Sequence, residues 1–293
     1  MEKAPDNGLS RDRASGNGLK VRMRRFARNR ASVAGFVIIA VLLLAALTAG
    51  VFAPHDPFAV SRDILASPSW AHPMGTDDIG RDIFSAVWYG ARAALLVGLS
   101  VAVASSILGI AIGSIAGYYG GIVDTLLMRF TELVQVLPTF FLALALVAIT
   151  GPGLYKLVIV ISALSWPATA RLMRVEYYSF KSQDFVEAAT TLGQSNLRIM
   201  VQHILPNAVP PAVVSGSLVV AQAILLQASL SFFGLGDPQL IDWGQMLNNA
   251  QRFLSRAWWL SAFPGAGIFL TVVAFNLVGD GLNDALNPRM RER

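Results

Sequence analysis

Six apolar runs, each near the length a helix needs to cross a bilayer, constrain this 293-residue chain more than any other feature. About 20 residues of α-helix span the hydrocarbon core. The runs fall at about 32–52, 93–118, 122–149, 154–170, 209–232 and 259–278. The first, second and fifth carry no charge. The third contains Arg129, Glu132 and Pro138, and prolines interrupt the fourth and sixth. Charged residues make up 14% of the chain, against about 25% in ordinary globular proteins. The expected fold class is therefore an all-α polytopic membrane protein with six transmembrane helices. The first run is too long, and too far from the start, for a cleaved signal peptide.

Several chemistries are excluded or disfavoured early. With no cysteine, disulfides, zinc–thiolate centres and thiol catalysis are impossible. No cluster of His, Asp and Glu falls inside the runs, which argues against an intramembrane enzyme. The formal charge of +5 follows from topology. With the N-terminus placed in the cytoplasm, seventeen of the 23 Lys and Arg lie on that side and six on the other. The positive-inside rule then puts both termini in the cytoplasm. Residues 1–31 read as a cytoplasmic basic tail, disordered over its first 19 residues. Its segment 20–30 suits anionic lipid headgroups, and no nucleic-acid partner is needed.

A polar island at about 171–207 breaks the apolar pattern and falls on the cytoplasmic side. A short helix over 183–192 is expected to stop at Gly193 in the left-handed conformation. Asn196 is expected to cap a second helix that runs to His203, with Pro206 halting it. His203 would then compensate a helix C-terminus. Ala188 and Ala189 would keep one face slim, while Glu187 and Arg198 supply polar anchors. A compact segment of this kind between two spans suits a soluble partner.

The external segments, at about 53–92 and 233–258, are turn-rich. Thr76 and Asp77 are expected to cap the helix that follows, and Trp243, Trp258 and Trp259 suit an interfacial aromatic belt. His55, Asp56, His72, Asp77, Asp78 and Asp82 are residue types that bind borderline ions. Their spacing is irregular and capping explains the Thr-Asp-Asp run, so no metal ligands are assigned. Glu132 lies inside a predicted span. It either lines a solute path, with Gln135 and the kink at Pro138, or pairs with Arg129 three residues earlier. Gly109, Gly113 and Gly117 form consecutive Gly-x-x-x-Gly patterns that permit close helix packing. Asp280 and Asp284, one turn apart, suggest an ionic partner such as Arg289 or a neighbouring subunit.

The island resembles the cytoplasmic signature loop of permease subunits in bacterial ABC importers. It has Glu187-Ala188-Ala189, a glycine four residues on at Gly193, and a hydrophobic residue before Pro206. The likeness extends to the run from His72 to Asp82, to Leu230 through Gly236, and to Ala274 through Pro288. Over about 20–293 the chain looks like the second, C-type permease of the dipeptide, oligopeptide and nickel importers. This resemblance implies the type I permease fold, a homologous second permease, two cytoplasmic ATP-binding subunits, an external solute-binding protein and residence in the bacterial inner membrane. It implies that Glu187, Ala188, Ala189, Leu192, Gly193, Arg198, His203 and Pro206 couple to an ATPase. It also places Asp77, Asp78, Arg81 and Asp82 on an external platform. The chain has no Gly-x-x-x-x-Gly-Lys-Ser/Thr phosphate loop, so it is expected to bind no cofactor and to leave ATP hydrolysis to its partners. Peptides are the expected solute, with nickel or glutathione as alternatives. An ion-coupled secondary transporter working through Glu132 is the alternative mechanism.

Overall fold

The computed structural model describes residues 26–52 and 55–286; the start of the basic tail and Arg289 lie outside this range. Among the described residues every regular element is helical. Five helices are long and apolar enough to cross a membrane, and a bent pair makes a sixth crossing possible. These are α1 (Arg30–Phe52), α2 (Ile83–Tyr119), the pair α3 (Gly121–Val136) and α4 (Thr139–Thr150), α5 (Leu154–Lys181), α7 (Asn196–Phe232) and α9 (Trp259–Leu286). The short helices α6 (Asp184–Thr191) and α8 (Trp243–Ala250) lie outside the crossings.

The 37 residues of α2 make a rod of about 55 Å at 1.5 Å per residue. It organises the bundle. Its middle supplies Val97 and Val101 to a core completed by Ile161 of α5 and by Ile224 and Leu230 of α7, all fully buried. The glycine stripe lies flat on α5. A Cβ added at Gly109 would fall 2.6 Å from Thr169 Cβ, one at Gly113 2.8 Å from Met173 Cβ, and one at Gly117 2.8 Å from Tyr177 Cβ. The repeat therefore serves the close packing its spacing suggests. Gly35 of α1 meets Ala274 and Leu277 of α9 in the same way. Leu44, Leu47, Val103, Ile107 and Ile159 face outward and exposed, as expected where lipid is the solvent.

Three helix boundaries differ from the sequence reading. The second span begins its helix at Ile83, because Asp82 caps it, and apolarity begins only a few turns later. The fourth continues to Lys181, so the first eleven residues of the polar island extend a helix. The third run is not a single helix. It breaks at Leu137-Pro138 and bends by 83°. Proline disfavours helical backbone in the residue before it, and Leu137 is extended at φ −83°, ψ 136°. Prolines 167, 210, 211 and 264 stay inside helices, where membrane packing tolerates them.

Candidate functional site

The two ends of α2 carry different structures. At its C-terminal end α6 and the start of α7 form a knob. Val186, Ala189, Ile199, Met200 and Ile204 pack on Tyr118, Met173 and Tyr177. The α6 helix stops as the sequence predicts: Gly193 has φ +73°, its N–H donates to Thr190 O, and the Gln194 N–H donates to Ala189 O. That double bond is the Schellman arrangement, which satisfies the last carbonyls of the helix. Two phenols tie the knob to the bundle. Tyr118 donates to Asn196 Oδ1 at 3.0 Å, and Tyr177 donates to Met200 O at 3.1 Å.

The knob corrects four expectations. Asn196 does not cap the second helix. Ser195 holds that position, and the Asn196 side chain is occupied by Tyr118. Pro206 does not halt the helix, which widens into a π turn over Ile199–Ile204 and continues to Phe232. A register change at this point lets the ladder absorb a residue without an N–H. His203 is therefore inside a helix, with Nε2 2.8 Å from Gln194 Oε1, so it braces the loop and caps no terminus. Ala188 is exposed, but Ala189 is buried in the knob's own core, and only the first of the two leaves an open face.

The surface of the knob combines charge with uncovered apolar side chains. Glu187 and Arg198 are exposed. Leu192 is 79% and Leu197 69% exposed; Leu192 lies between helices and Leu197 in the first turn of α7, ahead of the π turn. A cleft of about 630 Å³ opens beside them, between Tyr118, Tyr119, Lys181 and the Glu187–Thr191 side of α6.

The bent pair has a different character. Of α3 only Thr131 is buried. Glu132, Gln135 and Pro138 are exposed in the single chain. Glu132 Oε2 accepts from Arg129 Nη1 at 2.9 Å, so the pairing expected from i, i+3 spacing is present. Sequence reasoning missed Asp124. It accepts both Nε and Nη2 of Arg174 at 2.5 and 2.6 Å, a bidentate clamp that pins the start of α3 to α5. A lone acid in the first turn of a predicted span was the available signal.

At the N-terminal end of α2 lies a cap built from both external segments. Asp82, and not Thr76 or Asp77, is the N-cap: its Oδ2 accepts from Ser85 N at 2.8 Å and Ser85 Oγ at 2.7 Å. Asp77 instead closes the turn before it, accepting from the N–H groups of Ile79 and Arg81. Burial raises the Asp77 carboxyl above its ordinary range, against those two hydrogen bonds. Thr76 is a buried hub. Its hydroxyl donates to Asp63 O and accepts from Ala66 N, and its carbonyl accepts from Trp259 Nε1 at 3.1 Å. Trp243 is buried too, donating to Val87 O at 3.0 Å, with its indole seated against Gly90 and Gly267. Two of the three tryptophans therefore pin the cap and only Trp258 is open, at 58%. Of the four platform residues, Asp78 is exposed, Asp77 and Arg81 are half-buried, and Asp82 is buried beneath the surface. Asp284 meets Asn29 Nδ2 at 3.3 Å, linking the ends of α9 and α1.

Membrane-length helices around a packed core, with a braced knob at the end of α2, define a multi-pass membrane protein. The chain belongs to the family of binding-protein-dependent transport system inner membrane components, whose model matches residues 109–292. The model for the N-terminal transmembrane domain of oligopeptide transport permease C matches residues 19–68. It is 41% identical over 281 residues to a di/tripeptide transport system permease protein of Pseudomonas aeruginosa, covering 93% of each chain. It is 39% identical to a dipeptide transport system permease protein of Alkalihalophilus pseudofirmus, covering 92% of this chain and 89% of that one. It is also 40% identical to a putative peptide permease protein of Brucella suis, covering 90% and 89%. The chain is a C-type permease of the inner membrane with the type I importer fold.

Proposed function

We propose that this chain is one of two permeases in an ATP-driven importer of peptides, and that its knob is the part an ATPase grips. The relatives' names support peptides as the solute class. One observation carries the coupling role: Leu192 and Leu197 stand uncovered on a knob whose base is fully packed. Exposed apolar side chains on a polar segment between two spans suit a protein partner. Both termini and the knob then lie in the cytoplasm, in agreement with the charge asymmetry, and the cap faces the solute-binding protein. Glu187, Ala188 and Arg198 rim the contact. Ala189, Gly193, His203 and Pro206 fix its shape. Asp78, Arg81 and Asp77 form the outer platform, and Asp82 supports it from inside.

The solute path runs along the exposed side of the bent pair, past Glu132, Gln135 and Pro138, where a homologous permease completes the cavity. The chain performs no hydrolysis and holds no nucleotide; the partner ATPases supply the energy. When they close, the knobs move as rigid bodies and the permease pair opens to the other side. The test is the assembled importer carrying Leu192→Asp and Leu197→Asp together. The expected result is loss of at least nine-tenths of co-purifying ATPase and of dipeptide uptake, with membrane insertion intact. Full ATPase retention with normal uptake contradicts the coupling role.

A further inference from the structure

The cap brings together His55, His72 and Asp82, which are 10 to 27 positions apart in sequence and are all residue types that ligate metals. His72 Nδ1 lies 2.9 Å from Asp82 Oδ1, His55 Nδ1 lies 3.9 Å from Asp82 Oδ2, and the two imidazole rings sit 5.0 Å apart. One ligand atom from each of the three residues falls within 4.8 Å of the others. The Asp82 side chain is 1% exposed, that of His72 10% and that of His55 46%. A buried carboxylate is thus flanked by two imidazoles, and the outermost leaves an entry from solvent.

A His72–Asp82 clamp alone would account for two of these residues. It does not account for His55. Its ring has no hydrogen-bond partner among the described residues, yet its backbone N–H donates to Ser85 Oγ, the hydroxyl that also holds Asp82. One serine thus positions both ends of the cluster. On the far side, Asp63 Oδ2 lies 3.6 Å from His72 Nε2. A carboxylate on the second imidazole nitrogen is how metal-bound histidines are oriented.

We propose that His55, His72 and Asp82 bind a borderline divalent cation of the zinc class, with Asp63 as the outer carboxylate that orients His72. Imidazole and carboxylate ligands suit such ions, and three protein ligands with an open fourth position are a familiar zinc arrangement. The ion takes the place of the proton between His72 Nδ1 and Asp82 Oδ1; His72 binds as the neutral imidazole with its one proton on Nε2, facing Asp63, the exchange from Nδ1 passing through solvent. Metal–ligand bonds of about 2.0–2.2 Å require the His55 ring to swing inward, which its half-exposed position permits. Bound metal then fastens the loop that begins at His55 to the N-terminus of α2. The cap's own geometry suffices for this site, whether or not the knob grips an ATPase.

The test uses the untagged full-length chain in lipid nanodiscs, stripped with chelator and titrated with Co²⁺. The chain contains three histidines and no cysteine, so background binding is small. Expected are visible d–d absorption saturating at one equivalent, loss of that absorption on adding Zn²⁺, and no displacement by excess Mg²⁺ or Ca²⁺. His55→Ala abolishes the saturable signal while gel filtration and helical circular dichroism stay unchanged. Asp63→Asn weakens binding by about tenfold, as outer carboxylates do. Absence of saturable absorption in the parent chain, or an undiminished signal in a folded His55→Ala variant, overturns the proposal.

Discussion

The cap and the knob sit at opposite ends of one helix and are built on different plans. The cap threads buried polar joints through an apolar cluster that includes Ile83, Ala250, Trp259 and Leu260. Its elements are joined by indole N–H groups of Trp243 and Trp259, by the Thr76 hub, and by Asn248, whose Nδ2 donates to Phe232 O at 2.5 Å. The knob is apolar within, with only a few hydrogen bonds to the bundle, and its uncovered residues include Leu192 and Leu197 together with Glu187 and Arg198. The difference bears on how each end meets a partner. The cap braces itself through these polar joints, with Arg81 Nε left without a hydrogen-bond partner, and its rim includes Asp78 together with exposed Val60, Ile64 and Trp70. The knob packs its base and leaves its tip uncovered, and under the proposed coupling role an ATPase covers the tip.

Four substitutions and one titration probe this contrast, in falling order of expected effect. Trp243→Ala removes a side chain that is 97% buried together with its bond to Val87. It should cost about 3–5 kcal/mol, seen as a lower thermal midpoint with the cap becoming protease-sensitive first. Ile199→Ala empties the base of the knob, where Ile199 is fully buried, and should cost about 2–5 kcal/mol. Leu192→Ala, a few residues away at the exposed tip, should change stability by less than about 0.5 kcal/mol while reducing ATPase association. Equal destabilisation by both leucine and isoleucine variants would break the base-and-tip distinction.

The smallest effect is a pH dependence of the cap. Burial raises the Asp242 carboxyl above its ordinary range, outweighing hydrogen bonds from the Gln245 and Gly244 N–H groups and from Ser231 and Gln227. The folded state then holds a proton that the unfolded state has released. Stability from this group is fully present below the unfolded carboxyl's range and is lost as pH rises through the folded value. Asp242 also caps α8, accepting from Gln245 N at 3.0 Å, and Asn caps equally well. Asp242→Asn should therefore keep the fold and flatten the decline in thermal midpoint between acidic and neutral pH. An unchanged slope would remove Asp242 as its source.

The spans were legible in the sequence because bilayer thickness imposes one length on every apolar run. The stop at Gly193 was legible because a left-handed residue after a short helix favours glycine. The errors occurred where partners distant in sequence decide the outcome. Asn196 has the right chemistry for a cap, but Tyr118 claims its oxygen from 78 positions away. Pro206 normally ends a helix, yet a π turn carries it through. Trp243 looks interfacial by residue type, and it is buried because Gly90 and Gly267 make room for it. Asp82 reads as a surface acid until His72 and Ser85 are seen to enclose it. Local rules place elements, and tertiary contacts then assign polar side chains to caps, braces or clamps.

The central claim, that the knob tip meets an ATPase while the cap faces the other side, can be tested with one measurement. The chain has no native cysteine, so single Leu197→Cys and Asp78→Cys variants each carry one reactive thiol. In the assembled importer, with a cysteine placed in the ATPase cleft, Leu197→Cys should form a disulfide with the ATPase and Asp78→Cys should not. Asp78→Cys should instead react with a membrane-impermeant maleimide added outside intact cells. Cross-linking of the ATPase to Asp78→Cys, or outside labelling of Leu197→Cys, would contradict the account.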